Sequence, residues 1–187
     1  MEVMTWHGPS EATLVAAAIA GDLGAFDALV RRYRPAAILV ASQILDTREQ
    51  AEDAAQDALL AAYAALPKLA DPARFGAWLG TIVRHRARRL AAGENRRMVP
   101  IDRVVLSYTP ALAERLGEQD DRRKVRCALK QLPREVLPVV ELYYFDHWPV
   151  RQIAGFLGLP ETTVKWRLHA GRKQLRALLP EPENNNE

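Results

Sequence analysis

Polar and cationic side chains recur along one side of the segment from Glu161 to Leu179 at a spacing suited to reading DNA. At helical periodicity Thr162, Lys165, Trp166, His169, Arg172, Lys173 and Arg176 share a face, with donors for base edges near its start and cations for phosphates farther along. On charge alone, a solvated basic face on a plain helical hairpin would look the same. A second basic cluster lies between Asp71 and Arg97, where seven arginines stand against two acids. There Arg74, Thr81, Arg84, His85 and Arg88 share one side of a helix, and Arg89, Arg96 and Arg97 extend the patch, so the segment suits phosphate binding. A third cluster has the opposite sign: Glu49, Asp53, Gln56, Asp57 and Leu60 lie together on the outer side of a helix from Thr47 to Leu66. Acids around an outward leucine repel DNA and suit a basic protein surface, although a solvated acidic face gives the same pattern. No phosphate-cradling glycine loop, metal constellation or nucleophile–base pairing appears, so the chain is not expected to be an enzyme or to hold a cofactor. His7, His85, His147 and His169 lack the paired spacing of a zinc site, and the lone Cys127 is expected to be a buried or half-buried thiol.

The elements that must position these side chains are helices. Alanine, leucine and long charged residues dominate and almost nothing alternates with a period of two, which predicts an all-α chain of two small helical domains joined by a flexible linker. A short helix near Ser10 to Ala20 leads, Asp22 caps one running to about Leu45, Thr47 with Gln50 forms a capping box, and Asp71-Pro72 starts a helix reaching about Ala92. These make a first domain over 10–92. On its third and fourth helices, Ala55, Leu59, Tyr63 and Leu66, then Phe75, Leu79, Ile82, Val83 and Leu90, are expected to face the core, with Trp78 packed at the seam. Over 93–117 the helical period lapses around Pro100 and Pro110, a linker able to span roughly 80 Å when extended. A second domain over 118–179 holds helices near Glu118 to Gln131, Arg134 to Phe145, Pro149 to Leu157 and Glu161 to Leu179, and 180–187 is a polar, disordered tail.

Within the second domain, Val150-Arg-Gln-Ile-Ala-Gly-Phe-Leu-Gly-Leu-Pro-Glu-Thr-Thr-Val164 has the mechanics of a helix-turn-helix. Ala154 is small where two helices cross, Gly158 permits the positive φ of the turn, and Ile153, Leu157, Leu159 and Val164 fill the space between. Val164, Leu168, Gly171, Leu175 and Leu178 then form the inward stripe opposite the basic face, and the turn together with that face favours DNA reading over mere solvation. Trp166 can contact a thymine methyl, stack on sugar or cover a neighbouring helix. The net charge of +3 is mild, so its distribution carries the information. No apolar run approaches the ~20 residues of a membrane span and the start lacks a secretory pattern, which predicts a cytoplasmic protein without membrane insertion.

The order of acidic helix, basic helix, spacer and helix-turn-helix resembles the extracytoplasmic-function sigma factors of bacterial RNA polymerase, of the sigma-70 family, over about Ala25 to Leu179. Ala51-Glu-Asp-Ala-Ala-Gln-Asp-Ala-Leu-Leu60 looks like the family's polymerase-binding segment, and Phe75-Gly-Ala-Trp-Leu-Gly-Thr-Ile-Val-Arg84 like its promoter-melting segment. Leu132 to Leu137 and Ile153 to Arg167 look like its −35-binding half. The resemblance implies that Glu49, Asp53, Gln56, Asp57 and Leu60 bind the β′ clamp helices of core RNA polymerase, with the β flap as a further contact. It implies that Arg74, Thr81, Arg84, His85 and Arg88 meet the −10 element, where the loop Pro67 to Arg74 receives an unstacked base. Thr162, Thr163, Lys165, Trp166, Arg167, His169, Arg172 and Lys173 would meet the −35 element, and an anti-sigma protein is a further implied partner. His85 replaces the family's usual asparagine, Gln152 its glutamate and Trp166 a small polar residue. The alternative is an ordinary helix-turn-helix regulator whose first domain serves only for protein interaction.

Overall fold

The computed structural model describes residues 9–94 and 119–179, and every regular element among them is helical. The expected linker, apart from Gly93 and Glu94, lies outside the described residues, as do Arg96, Arg97 and the tail 180–187. Four helices form the N-terminal module: α1 (Glu11–Ile19), α2 (Leu23–Ala41), α3 (Arg48–Ala65) and α4 (Phe75–Glu94). Local chemistry starts each of the first three. Ser10 accepts from the Thr13 amide, Asp22 from the Ala25 amide, and Thr47 and Gln50 satisfy each other's backbone in a full capping box. Pro72–Arg74 is a 3-10 turn capped by Asp71, so the α-helix proper begins one turn later than Asp71-Pro72 suggests. The α2 helix ends at Ala41, short of Leu45, where the Ser42 hydroxyl turns back on the Leu39 carbonyl.

The C-terminal module holds α5 (Gln119–Lys130), α6 (Leu137–Tyr144), α7 (Val150–Leu157) and α8 (Glu161–Leu178). A small core of Leu129, Leu132, Val136 and Val140 joins α5 and α6 to α8. Gly171 makes the α6–α8 approach close, since a Cβ there would lie 2.5 Å from Val140 Cγ2. The larger core is shared by both modules: Tyr33, Phe75, Leu79 and Val83 from the first pack in one cluster with Trp148, Ile153, Phe156 and Val164 from the second. The two halves are thus docked, with α7 lying on α4.

Two residues expected inward differ. Tyr63 is 43% exposed and lies across Phe26 at 4.7 Å between ring centroids, and Leu178, in the last turn of α8, is 36% exposed. Cys127 is exposed, not buried, on the outer side of α5.

Candidate nucleic-acid interface

The turn of the helix-turn-helix is built as its composition demands. Gly158 adopts φ 68° and ψ 37°, a left-handed conformation that a side chain would strain, and it ends α7 so that Pro160 can redirect the chain into α8. Ile153, Ala154, Val164 and Leu168 are buried between and beneath the two helices, while Leu157 and Leu159 are half-buried. With that stripe held inward, Thr162, Lys165, His169, Arg172 and Lys173 are exposed on the outer face of α8, and Thr163 and Arg167 are half-buried at its edges. Trp166 is 64% exposed among them, which removes the reading in which it covers a neighbouring helix.

The basic side of α4 and the turn before it is divided. Arg74 in the turn and Thr81, His85 and Arg88 on the helix are exposed, but Arg84 is half-buried against the C-terminal module. Its Nη1 donates to the Phe156 carbonyl oxygen and its Nη2 to Thr81 Oγ1 at 3.1 Å. Burial, and secondarily the like charge of Arg88, push the Arg84 guanidinium below its ordinary pKa. Arg84, Arg88, Arg134 and Arg167 gather around one cleft of about 310 Å³ between the modules, where Glu135 is the acid.

The acidic helix is fully available. Glu49, Asp53, Gln56 and Asp57 are exposed along α3 and Leu60 is 61% exposed beside them, held outward because Ala51, Ala54, Ala55, Ala58 and Ala62 are buried on the opposite side. Asp53, Gln56 and Asp57 form one wall of a groove of about 620 Å³ whose other wall carries Arg86 and Arg89 of α4. Opposite charges therefore border one concave surface.

Several residues that shape this arrangement carry no charge signal. The Tyr33 hydroxyl donates to the Glu11 carboxylate and accepts from Gln152 Nε2 at 3.1 Å, and burial together with Glu11 holds the phenol well above its ordinary pKa. A carboxylate at the place of Gln152 could not donate to this hydroxyl and would face Glu11. Arg134 Nη2 donates to the carbonyls of Ser42 at 2.7 Å and Leu45 at 3.1 Å, just past the end of α2. Gly80 is the signal that could have revealed the docking, since a Cβ there would lie 2.1 Å from the Phe156 carbonyl oxygen, whereas Gly76 makes room for Tyr33 of its own module, where a Cβ would reach within 2.7 Å of Oη. Among the described residues no cluster of three His, Cys, Asp or Glu could hold a metal ion.

Residues 29–97 match the family Sigma-70 region 2, and residues 122–175 match Sigma-70, region 4. The ECF RNA polymerase sigma factor SigM of Mycobacterium tuberculosis is 32% identical over 92% of this chain and 86% of its own length. SigW of Bacillus subtilis, also an ECF RNA polymerase sigma factor, is 27% identical over 85% of this chain and 91% of its own. Among solved structures, CnrH in complex with the cytosolic domain of CnrY shares the fold at a TM-score of 0.56 with 27% identity, covering 90% of this chain and 96% of that one. The sigma factor RpoE in complex with the anti-sigma factor NepR from Bartonella quintana shares it at 0.58 with 23% identity, over 82% and 95%.

Proposed function

This chain belongs to the extracytoplasmic-function sigma factors of the sigma-70 family, and on that footing we propose how its three charged faces divide the work of promoter recognition. The α3 face of Glu49, Asp53, Gln56, Asp57 and Leu60 docks on core RNA polymerase through the β′ clamp helices, the β flap receiving the C-terminal module. Arg74 in the turn before α4, with Thr81, Arg84, His85 and Arg88 on α4, engages the −10 element. On α8, Thr162, Thr163, Lys165, Trp166, Arg167, His169, Arg172 and Lys173 take the −35 element. The first two tasks fall to residues 10–92 and the third to 118–179, with 93–117 between them. Such a factor performs no chemistry: it lends core enzyme sequence preference and holds the opened strand. The setting is the cytoplasm, and among the described residues no helix is long and apolar enough to cross a membrane. An anti-sigma protein is part of the reading, supported by the fold shared with a sigma factor solved with one.

The observation that carries it is the separation of sign by helix: an acidic face with an exposed leucine on α3, and basic faces on α4 and α8. Phosphates are repelled by the first and attracted by the other two. Asp53→Arg with Asp57→Arg reverses charge at two exposed sites, so folding is expected to be unchanged by circular dichroism. Affinity for core polymerase, measured by a titration with labelled protein, is expected to fall at least about ten-fold. A double variant that bound core enzyme as wild type does would place the docking surface elsewhere.

A further inference from the structure

We infer that Arg86 and Arg89 of α4 are protein-docking residues: a segment of core polymerase enters the groove between α3 and α4 and presents acidic side chains to these two arginines. This rests on the reading of α3 as the polymerase-docking helix and extends it from one helix face to a two-walled groove. Asp53, Gln56 and Asp57 form one wall of its roughly 620 Å³, and Arg86 and Arg89 form the other. By sequence position Arg89 belongs with the phosphate-binding arginines, but the helix separates them. At about 3.6 residues per turn, Arg86 stands roughly 200° and Arg89 roughly 140° around α4 from Arg84. Arg84 and Arg88 accordingly border the cleft against the C-terminal module, whereas Arg86 and Arg89 border the groove against α3. A nucleic acid that approached Arg86 and Arg89 there would meet Asp53 and Asp57 at the same time, and those carboxylates repel its phosphates.

The charges of the two walls are not spent on each other. Among the described residues the ion pairs are Arg31 with Asp27 and Arg48 with Glu52, each within a single helix, and none crosses the groove. Both walls are thus left for an occupant. Charge complementarity then sets its chemistry: basic side chains toward α3, acidic ones toward α4, and an apolar contact on the half-buried Leu90 between them. A partner basic throughout would be drawn to α3 and repelled by α4, so the second wall adds discrimination as well as attraction. The groove is also continuous with the rest of the docking surface, because Leu60, 61% exposed, follows Gln56 and Asp57 one turn along α3.

Labelled full-length chains are titrated with core polymerase, and separately with a DNA duplex of arbitrary sequence over a range of salt. Arg86→Glu with Arg89→Glu is expected to bind core polymerase at least about ten-fold more weakly than wild type. Arg86→Gln with Arg89→Gln, which only neutralises the wall, is expected to lose about three-fold and decides the matter alone if the reversed chain fails to fold by circular dichroism. On the duplex the glutamine variant is expected to keep the wild-type salt dependence. A slope shallower by about 1.8, the loss of two phosphate contacts, would return Arg86 and Arg89 to the DNA and overturn the inference. Wild-type affinity of both arginine variants for core polymerase would also overturn it, and the α3 reading would stand if Asp53→Arg with Asp57→Arg were weakened in the same titration. Wild-type affinity in all three variants would overturn the α3 reading and the groove together.

Discussion

An indole left mostly in water on the outer face of a recognition helix gains little from the rest of the chain, so its reason lies outside the fold. Among the described residues Trp166 pairs with no aromatic ring, and its neighbours on that face, Lys165 and His169, are exposed as well. Trp166→Ala is accordingly expected to change thermal stability by no more than about 0.5 kcal/mol. In holoenzyme, promoter binding is expected to weaken by about 1–2 kcal/mol, the scale of a large aromatic contact. A filter-binding titration beside a melting curve separates the two effects; promoter affinity that stayed at the wild-type value would remove Trp166 from the −35 contact. At this scale the sequence was most legible where a residue answers to its own helix. Periodicity is enough to turn Thr162, Lys165 and Arg172 outward and Val164 and Leu168 inward. Arg84 was not legible in this way. Its position beside His85 and Arg88 says phosphate, whereas its actual partner is a carbonyl 72 residues away in sequence.

Helices are read well at their starts and poorly at their ends, and the physics of each explains it. An N-cap is a bond between a side chain and an amide two or three residues on, so Asp22, Thr47 and Gln50 announce it locally. A helix end depends on what packs over it. The α6 helix begins at Leu137, not near Arg134, because residues 133–136 form a separate turn in which the Val136 amide donates to the Pro133 carbonyl. That same helix carries a carboxyl in an unfavourable setting. Burial, and secondarily Asp146, push Glu141 from its ordinary 4.5 up to about 7. Between those two values the folded chain holds a proton that the unfolded chain has released, so the contribution to stability is complete below about pH 4.5 and is lost as pH rises through about 7. Glu141→Gln removes that titration. Urea denaturation at pH 5 and pH 8 is expected to show the variant gaining on wild type by on the order of 2 kcal/mol at the higher pH. A difference independent of pH would mean that Glu141 is charged in the folded chain across this range.

The shared core changes what the whole molecule must do when it unfolds. Two domains on a flexible linker would melt independently, each with its own midpoint. Here Tyr33 of α2 lies within 5.7 Å of Phe75, Trp148 and Phe156, measured between ring centroids, so one aromatic cluster ties α2 and α4 to α7 and the turn before it. Composition and periodicity do not reveal that cluster, because they describe each helix against an averaged interior and not against a particular partner. Gly80 in α4 was the available clue, since a glycine inside a helix marks a place of close approach, here to the Phe156 backbone. Coupling of this kind has a measurable consequence. In wild type, far-ultraviolet dichroism and tryptophan fluorescence are expected to follow one transition, as a single cooperative unit requires. Phe156 is fully buried at the junction, and Phe156→Ala is expected to cost about 3–5 kcal/mol. Because the loss falls on contacts between modules as well as within α7, the two probes should then separate, with the C-terminal module melting first on its small core of Leu129, Leu132, Val136 and Val140. Transitions already separate in wild type would show that the docked arrangement adds little to stability, whereas probes that stayed coincident in Phe156→Ala would show that Trp148, Gln152 and Arg134 suffice to hold the modules together.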